Sequence, residues 1–223
     1  MFTKTSITLE VRDNKLTMLK ERAILWREMN WLIISDLHLG KSETFRNCGI
    51  PIPAELDTTD LDRLSFLVTN YKPDRLIIAG DFIHHDSSLT EHTNSIFTSW
   101  RKKHPLPIWL VEGNHDRGIS LPNNWNINYL TSALRAAPFI IDHKPPEQVA
   151  HPIYFGIYGH IHPVSYMEVG GRSIRVQVFY KNRDSLILPA FTNFAGGWNV
   201  SEKNEEAVYF ATGEAVFSRK AID

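Results

Sequence analysis

Five short apolar runs punctuate the chain, "WLIIS", "RLIIAG", "PIWLVEG", "PFIID" and "IYFGIYG", and each hands over at once to side chains that can bind metals. Their length suits buried strands and is too short for helices. Directly behind the runs, in order, stand Asp36 with His38, then Asp81, then Asn114 with His115 and Asp116, then His143, and finally His160 with His162. Composition alone requires none of this. In a parallel sheet the carboxyl ends of the strands line one edge, where the loops build ligand sites, so these distant residues are expected to meet.

The segments between the runs support such a sheet. "DTTDLDRLSFLVTNYKP" places Leu61, Leu64, Leu67 and Val68 on one helical face, with Asp57 to Thr59 as caps and Pro73 as a stop. "SLTEHTNSIFTSWRKKHP" predicts a second helix with Ile96, Phe97 and Trp100 as its buried stripe and Pro105 beyond its end. Alternation of strand and helix implies parallel pairing. The two ends differ: "SITLEVRDNKLTML" alternates around Asp-Asn-Lys and "EAVYFATGEAVFS" around Thr-Gly-Glu, so hairpins are expected at about 5–27 and 205–218. No linker, repeat or low-complexity tract divides the 223 residues, and a single domain is expected.

Charge restricts the partners. With 24 Lys+Arg against 25 Asp+Glu the formal charge is -1, so no broad basic field holds nucleic acid and any phosphate must be gripped locally. The single cysteine, Cys48, excludes an internal disulfide and every Cys-rich zinc motif, leaving His, Asp, Glu and Asn as ligands. The polar start "MFTKTSITLEVRDNK" lacks the apolar core of a signal peptide, and no apolar run approaches membrane-spanning length. The cytoplasm is the expected compartment, with no membrane partner.

Asp36/His38 and His160/His162 are both i, i+2 pairs. That spacing sends two side chains the same way when the chain leaves a strand extended, so each pair is expected to grip one ion. Hard oxygens and imidazole nitrogens without thiolate suit Mn²⁺, Fe or Zn²⁺. In "GNHD", Gly113 is expected to free the backbone to turn. A lone D-x-H or G-D is common, and an isolated buried histidine is ordinarily just hydrogen-bonded; the ordered set at successive strand ends is what carries the argument.

As a set, "DLH", "GDFIH", "GNHD", the "DH" of "FIIDHKP", and "GHIH" resemble the signature of the calcineurin-like metallophosphoesterases, over Trp31 to His162. The resemblance implies a four-layer α/β/β/α sandwich of two mixed β-sheets with a two-metal site at one edge. A closer resemblance, through "DLHLGKSETFRNCGIPIP", "GHIHP" and "LILPAFTNFAGG", is to the bacterial DNA-ligase-associated metallophosphoesterases. That subfamily is named for its neighbours in DNA-repair gene clusters, so a functional association with DNA ligase and helicase is implied, while direct contact with them stays open.

Residue by residue, the resemblance implies Asp36, His38 and His162 on one ion and Asn114, His143 and His160 on the other, with Asp81 bridging. Mn²⁺ is the first expectation for both ions. His151 in "VAHPIYF" is the rival of His143, but it precedes a strand. Two ions roughly 3.5–4 Å apart lower the pKa of a water between them and stabilise attacking and leaving oxygens. The proton for the leaving group falls to His115, with Asp116 orienting its ring.

His84 resembles the active-site histidine of the nuclease subunit of the double-strand-break repair complex, beside the plainer reading of an exposed loop histidine. Lys41 and Arg46 follow the first motif on a loop, as candidates for binding substrate phosphate. Phe191, Phe194 and Trp198 form either a stacking wall beside Gly196 and Gly197 or, the commoner case, core. The expected function is a metal-dependent phosphodiesterase acting on a nucleotide or nucleic-acid end. The alternatives are a phosphomonoesterase, or a non-enzymatic scaffold such as the small retromer subunit, which has lost the histidine that His115 supplies here. Oligomeric state stays open.

Overall fold

Three of the apolar runs become adjacent strands of a seven-stranded sheet, and the other two become strands of a second sheet. The strands of the first follow in chain order as β1 (Ser6–Val11), β2 (Asn14–Leu19), β3 (Ala23–Trp26), β4 (Trp31–Ile34), β5 (Arg75–Ala79), β6 (Ile108–Val111) and β7 (Ile127–Leu130). The structure is a computed structural model describing residues 4–47, 49–52, 56–147, 153–202 and 206–218. Cys48 and His151 lie outside the described residues. β1 to β4 run antiparallel and β4 to β7 parallel. The N-terminal hairpin turns at Arg12 and Asp13, both left-handed at φ 50° and 61°, one residue earlier than the sequence suggests, and it continues into β3.

Three helices accompany this sheet: α1 (Lys41–Asn47), α2 (Leu56–Tyr71) and α3 (Glu91–Lys103). Leu61, Leu64 and Leu67 of α2 and Phe97 and Trp100 of α3 are buried against Leu32, Ile34, Ile78 and Leu110. This is the packing that the helical periodicity predicts. Leu64 is fully buried, so truncation to Ala would cost about 2–5 kcal/mol. Thr90 caps α3, its hydroxyl accepting from the Thr93 N–H at 3.2 Å. Asp57 to Thr59, expected as caps, lie inside the first turn of α2 instead. Lys41 and Arg46, expected on a loop, sit on α1, a short helix without an apolar stripe to signal it.

The second sheet is built from β8 (Leu134–Ala136), β9 (Phe139–Ile141), β10 (Phe155–Tyr158), β11 (Pro163–Val169), β12 (Arg172–Lys181), β13 (Ser185–Ile187) and β14 (Trp198–Asn199), in the order β14-β11-β12-β13-β10-β9-β8. The hairpin of β15 (Ala207–Ala211) and β16 (Val216–Ser218) pairs onto β12. β9, β10 and β13 are parallel and the rest mostly antiparallel, so both sheets are mixed. Between them lies a core of Ile24, Trp26, Ile33, Ile77, Phe139, Ile157 and Phe179.

These two mixed sheets with their helices form the expected α/β sandwich. On the far side of the second sheet the described residues place Val178, Val208, Phe210 and Phe217 as a small third cluster in place of a packed helix. Phe179 faces the inter-sheet core while Val178 faces this cluster, as strand alternation dictates. Among the described residues no helix is long and apolar enough to cross a membrane.

Candidate metal centre

β4, β5 and β6 end side by side, and their ladder continues into the loops. Asp36 N–H donates to Gly80 O at 3.0 Å, His38 N–H to Asp81 O at 2.9 Å, and Leu39 N–H to Phe82 O at 2.7 Å. From the second sheet, Gly159 N–H donates to His143 O at 3.0 Å, tying the exits of β9 and β10. With the His115 N–H donating to Asp81 Oδ1 at 2.9 Å behind β6, the loops after these five strands converge at one edge of the sandwich. Asp36, His38, Asp81, His160 and His162 all adopt left-handed backbone, φ 47–73°, although none is glycine. Such conformations cost energy and persist only where surrounding structure enforces them, which marks this edge as functional.

Three donor clusters result among the described residues, with candidate ligand atoms inside each within 4.8 Å of one another; one, His38 with His84 and His115, has no carboxylate, and the other two form the candidate metal centre. Of these two, one joins Asp36, His38, Asp81 and His162; the other joins Asp81, His143 and His160. Asp81 belongs to both. Asn114 adds its amide oxygen to the second, 3.0 Å from His143 Nε2. The i, i+2 reading holds for Asp36 and His38, which share a cluster, and fails for His160 and His162. The chain is not extended there, since both histidines are left-handed, and their rings divide between the clusters.

Hydrogen bonds fix the donors. His143 donates Nδ1–H to Ala79 O at 3.0 Å, which turns Nε2 toward Asp81 Oδ2, 3.3 Å away. The Asp36 carboxylate accepts the His160 N–H at 3.1 Å and lies 3.1 Å from His162 Nε2. Burial pushes His38 down to about 3 even though Asp36 and Asp81 pull the other way, so the ring is neutral and one nitrogen lone pair is available. Burial also disfavours charge on His143, but the bond to Asp81 and the nearby Asp36 outweigh it and raise the ring to about 9. Burial likewise opposes the Asp81 carboxylate, yet bonds from His143 and from the His115 N–H bring it down to about 2.

A model of the calcineurin-like phosphoesterases matches residues 29–209. The chain belongs to this family. Pseudomonas putida nuclease MPE has the same fold, with a TM-score of 0.82 and 29% identity over 96% of this chain and 99% of that one. Among curated proteins nothing matches. As a calcineurin-like phosphoesterase the protein is a metal-dependent phosphoric ester hydrolase, and the family implies a dinuclear divalent centre for which these clusters are the candidate ligands.

His115 of this phosphoesterase stands at the open side of the clusters. Its side chain is 38% exposed, against 2% for His38, and its Nε2 lies 4.0 Å from Asp81 Oδ2. The expected orienting partner, Asp116, spends its carboxylate on backbone donors and not on that ring. Asp116 accepts the Ile83 N–H at 3.0 Å and the Gly113 N–H at 2.9 Å, so it rivets two loops together. The ring of His115 is instead held by the His84 carbonyl, which accepts its Nδ1–H at 2.7 Å. Backbone donors, being close by in space, win the Asp116 carboxylate before a side chain reaches it.

Gly113 also differs from expectation. It does not adopt positive φ; a Cβ there would lie 2.3 Å from Asp81 Oδ1, so the glycine makes room for the shared carboxylate. His84 stacks on His115 at 5.4 Å and sets its Nδ1 3.5 Å from His38 Nδ1, within the site. Lys41 lines a small cavity with His38 and Thr192. Arg46 is bonded to Glu43 on its own helix and to the Ile52 carbonyl. The aromatic triplet splits: Phe191 is fully buried core, whereas Trp198 is 71% exposed, with its backbone N–H donating to the carbonyls of Ile161 and His162. The sequence points to no role for Arg22, which is buried behind this edge.

Proposed function

We propose that the protein is a two-metal phosphodiesterase, folded as one domain, that cleaves a nucleotide or a nucleic-acid end, in a setting of DNA repair and with Mn²⁺ as its ion. The observation that carries this is a pair of donor clusters sharing one carboxylate, Asp81, with an exposed histidine beside them. The donors, two carboxylates, four imidazoles and an amide oxygen with no thiolate, fit hard or borderline divalent ions. On this reading Asp36, His38 and His162 hold one ion, Asn114, His143 and His160 the other, and Asp81 both. When bound, such a pair supplies an activated water and charge stabilisation for in-line displacement at phosphorus.

The chain's own residues do the rest. The His84 carbonyl accepts from His115 Nδ1–H, which leaves Nε2 facing the cluster as the atom that would deliver a proton to the leaving oxygen. Lys41 supplies positive charge to a substrate phosphate beside His38. Arg46 stays a candidate for binding substrate phosphate, although its guanidinium is already bonded to Glu43 and the Ile52 carbonyl. The nuclease identity of the Pseudomonas putida neighbour supports a nucleic-acid substrate, and the exposed Trp198, whose backbone N–H is bonded to the His162 carbonyl, supports one with a base to stack.

The test is hydrolysis of bis-p-nitrophenyl phosphate and p-nitrophenyl phosphate with Mn²⁺, followed by an end-labelled single-stranded oligonucleotide, in wild type and His115→Ala. Diester and oligonucleotide cleavage lost in the variant is the expected result. Cleavage of the monoester alone makes the protein a phosphomonoesterase, and no cleavage of the oligonucleotide removes the nucleic-acid substrate.

A further inference from the structure

Arg22 sits in the turn between β2 and β3, at left-handed φ 66°, and its side chain runs inward until the residue is 8% exposed. Its guanidinium meets no carboxylate within salt-bridge distance among the described residues. Every acceptor it finds is neutral. Nη1 donates to Gln177 Oε1 at 2.6 Å, to Thr192 O at 3.1 Å and, at 3.5 Å, to Ala190 O; Nη2 donates to Asn193 Oδ1 at 2.6 Å. Gln177 is itself committed to the same target, its Nε2 donating to Thr192 O at 3.2 Å. Burying a charge with no carboxylate bonded to it is expensive, and here burial, with the neighbouring Arg63 cation, pushes the guanidinium down to about 9 against the weaker pull of Asp60. Such an arrangement calls for a reason.

The reason lies on the other side of the segment that Arg22 holds. Residues 190–193 have no strand of their own, so their backbone groups need partners. The carbonyls point back to Arg22 and to Arg63, which bonds the Phe191 carbonyl and lies 4.3 Å over its ring. The N–H groups point forward: Phe191 N–H donates to Ser35 O at 2.8 Å and Thr192 N–H to Asp36 O at 3.2 Å. Asp36 is the residue whose backbone is left-handed at φ 55° and whose carboxylate anchors the first donor cluster.

We propose that Arg22 is a positioning residue for the metal ligand Asp36, acting through the 190–193 segment that it clamps from behind. The proposal rests on the reading of Asp36 as a ligand. The fork matters as much as the charge, because Nη1 and Nη2 serve different acceptors and a lysine ammonium cannot span them. Residues that orient ligands from behind typically govern metal affinity by 10–100-fold. A residue serving stability alone would leave that affinity unchanged.

The experiment is calorimetric titration of metal-free protein with Mn²⁺ in wild type, Arg22→Met, Arg22→Lys and Asp36→Asn, with a thermal melt of each. The expected result is a roughly 10–100-fold loss of affinity for one of two ions in Arg22→Met. Arg22→Lys should recover melting temperature better than affinity. Wild-type affinity in Arg22→Met, whatever its melting temperature, overturns the proposal. Should Arg22→Met fail to fold, Asn193→Ala removes an acceptor of Arg22 from an exposed position; a several-fold loss for one ion supports the clamp and an unchanged titration overturns it. If Asp36→Asn binds both ions normally, the ligand reading itself has failed, which is a separate outcome.

Discussion

The half of the proposed centre that contains Asp36 and the half that contains His143 share Asp81, yet they reach it in different electrostatic states. The first has a carboxylate of its own and a histidine, His38, that burial holds near 3 and therefore neutral. The second has no carboxylate except the shared one. Its His143 is held as a cation near 9 by Asp81 and Asp36 against the pull of burial. One half is ready to receive a divalent ion, and the other must give up an internal ion pair, Nε2 to Oδ2 at 3.3 Å, before it can. Symmetric ligand counts thus conceal unequal sites, and the second is expected to be the weaker and the more sensitive to pH.

The largest effect should come from erasing what the halves have in common. Asp81→Asn leaves both clusters without their shared carboxylate and exposes the buried His143 cation without its partner, so metal content and activity are expected to vanish together. Elemental analysis showing two ions retained would refute the bridge. Next comes His115→Ala, which belongs to neither half: turnover should fall about 10²–10⁴-fold while both ions stay bound. Survival of activity would remove His115 as the acid.

Two glycines allow the halves to be struck separately. A Cβ on Gly159 would stand 2.6 Å from Asp36 Oδ2, and one on Gly80 would stand 2.3 Å from His143 Nδ1, at a residue whose φ of +79° already disfavours a side chain. Gly159→Ala should therefore weaken the first ion and Gly80→Ala the second, each by roughly 10–100-fold. Calorimetric titration reads this directly. Equal losses at both ions in either variant would mean that the halves are not separable.

How far the sequence foretells these halves depends on where each interaction is encoded. Strand ends announce themselves locally, because a buried run that stops on Asp36 or Asn114 is visible in ten residues, and so the order of the donors and the parallel sheet can be read. Contacts made across the chain cannot. That His162 leaves His160 to join Asp36 depends on left-handed backbone at both histidines, which no spacing rule anticipates. Asp116 looks like the partner of His115 because they are adjacent, but backbone N–H groups from two loops claim it. Arg22 sits 168 residues before the carbonyl of Ala190 that it meets, with nothing nearby to flag it. Trp198 and Phe191 look alike in sequence, and only the packing separates a surface ring from a core one.

The smallest expected effect concerns protons and separates the halves most finely. In metal-free protein His143 has its folded pKa raised to about 9, above the ordinary 6.5, so its bond to Asp81 stabilises fully below 6.5 and is lost as pH rises through 9. Asp81, brought down to about 2, gives the acid side of the same ion pair: stability present above the ordinary 3.8 and lost as pH falls through 2. The melting temperature of metal-free protein should therefore decline between about pH 6.5 and 9, and Mn²⁺ should flatten the decline by taking the place of the proton. The same logic makes metal uptake near pH 7 release a proton from the His143 half and none from His38, since His38 is already neutral. Titrations in buffers of different ionisation enthalpy count those protons. Release confined to the weaker of two binding steps supports the inequality of the halves, whereas release with the tighter step, or a melting temperature that rises toward pH 9, would reverse the assignment.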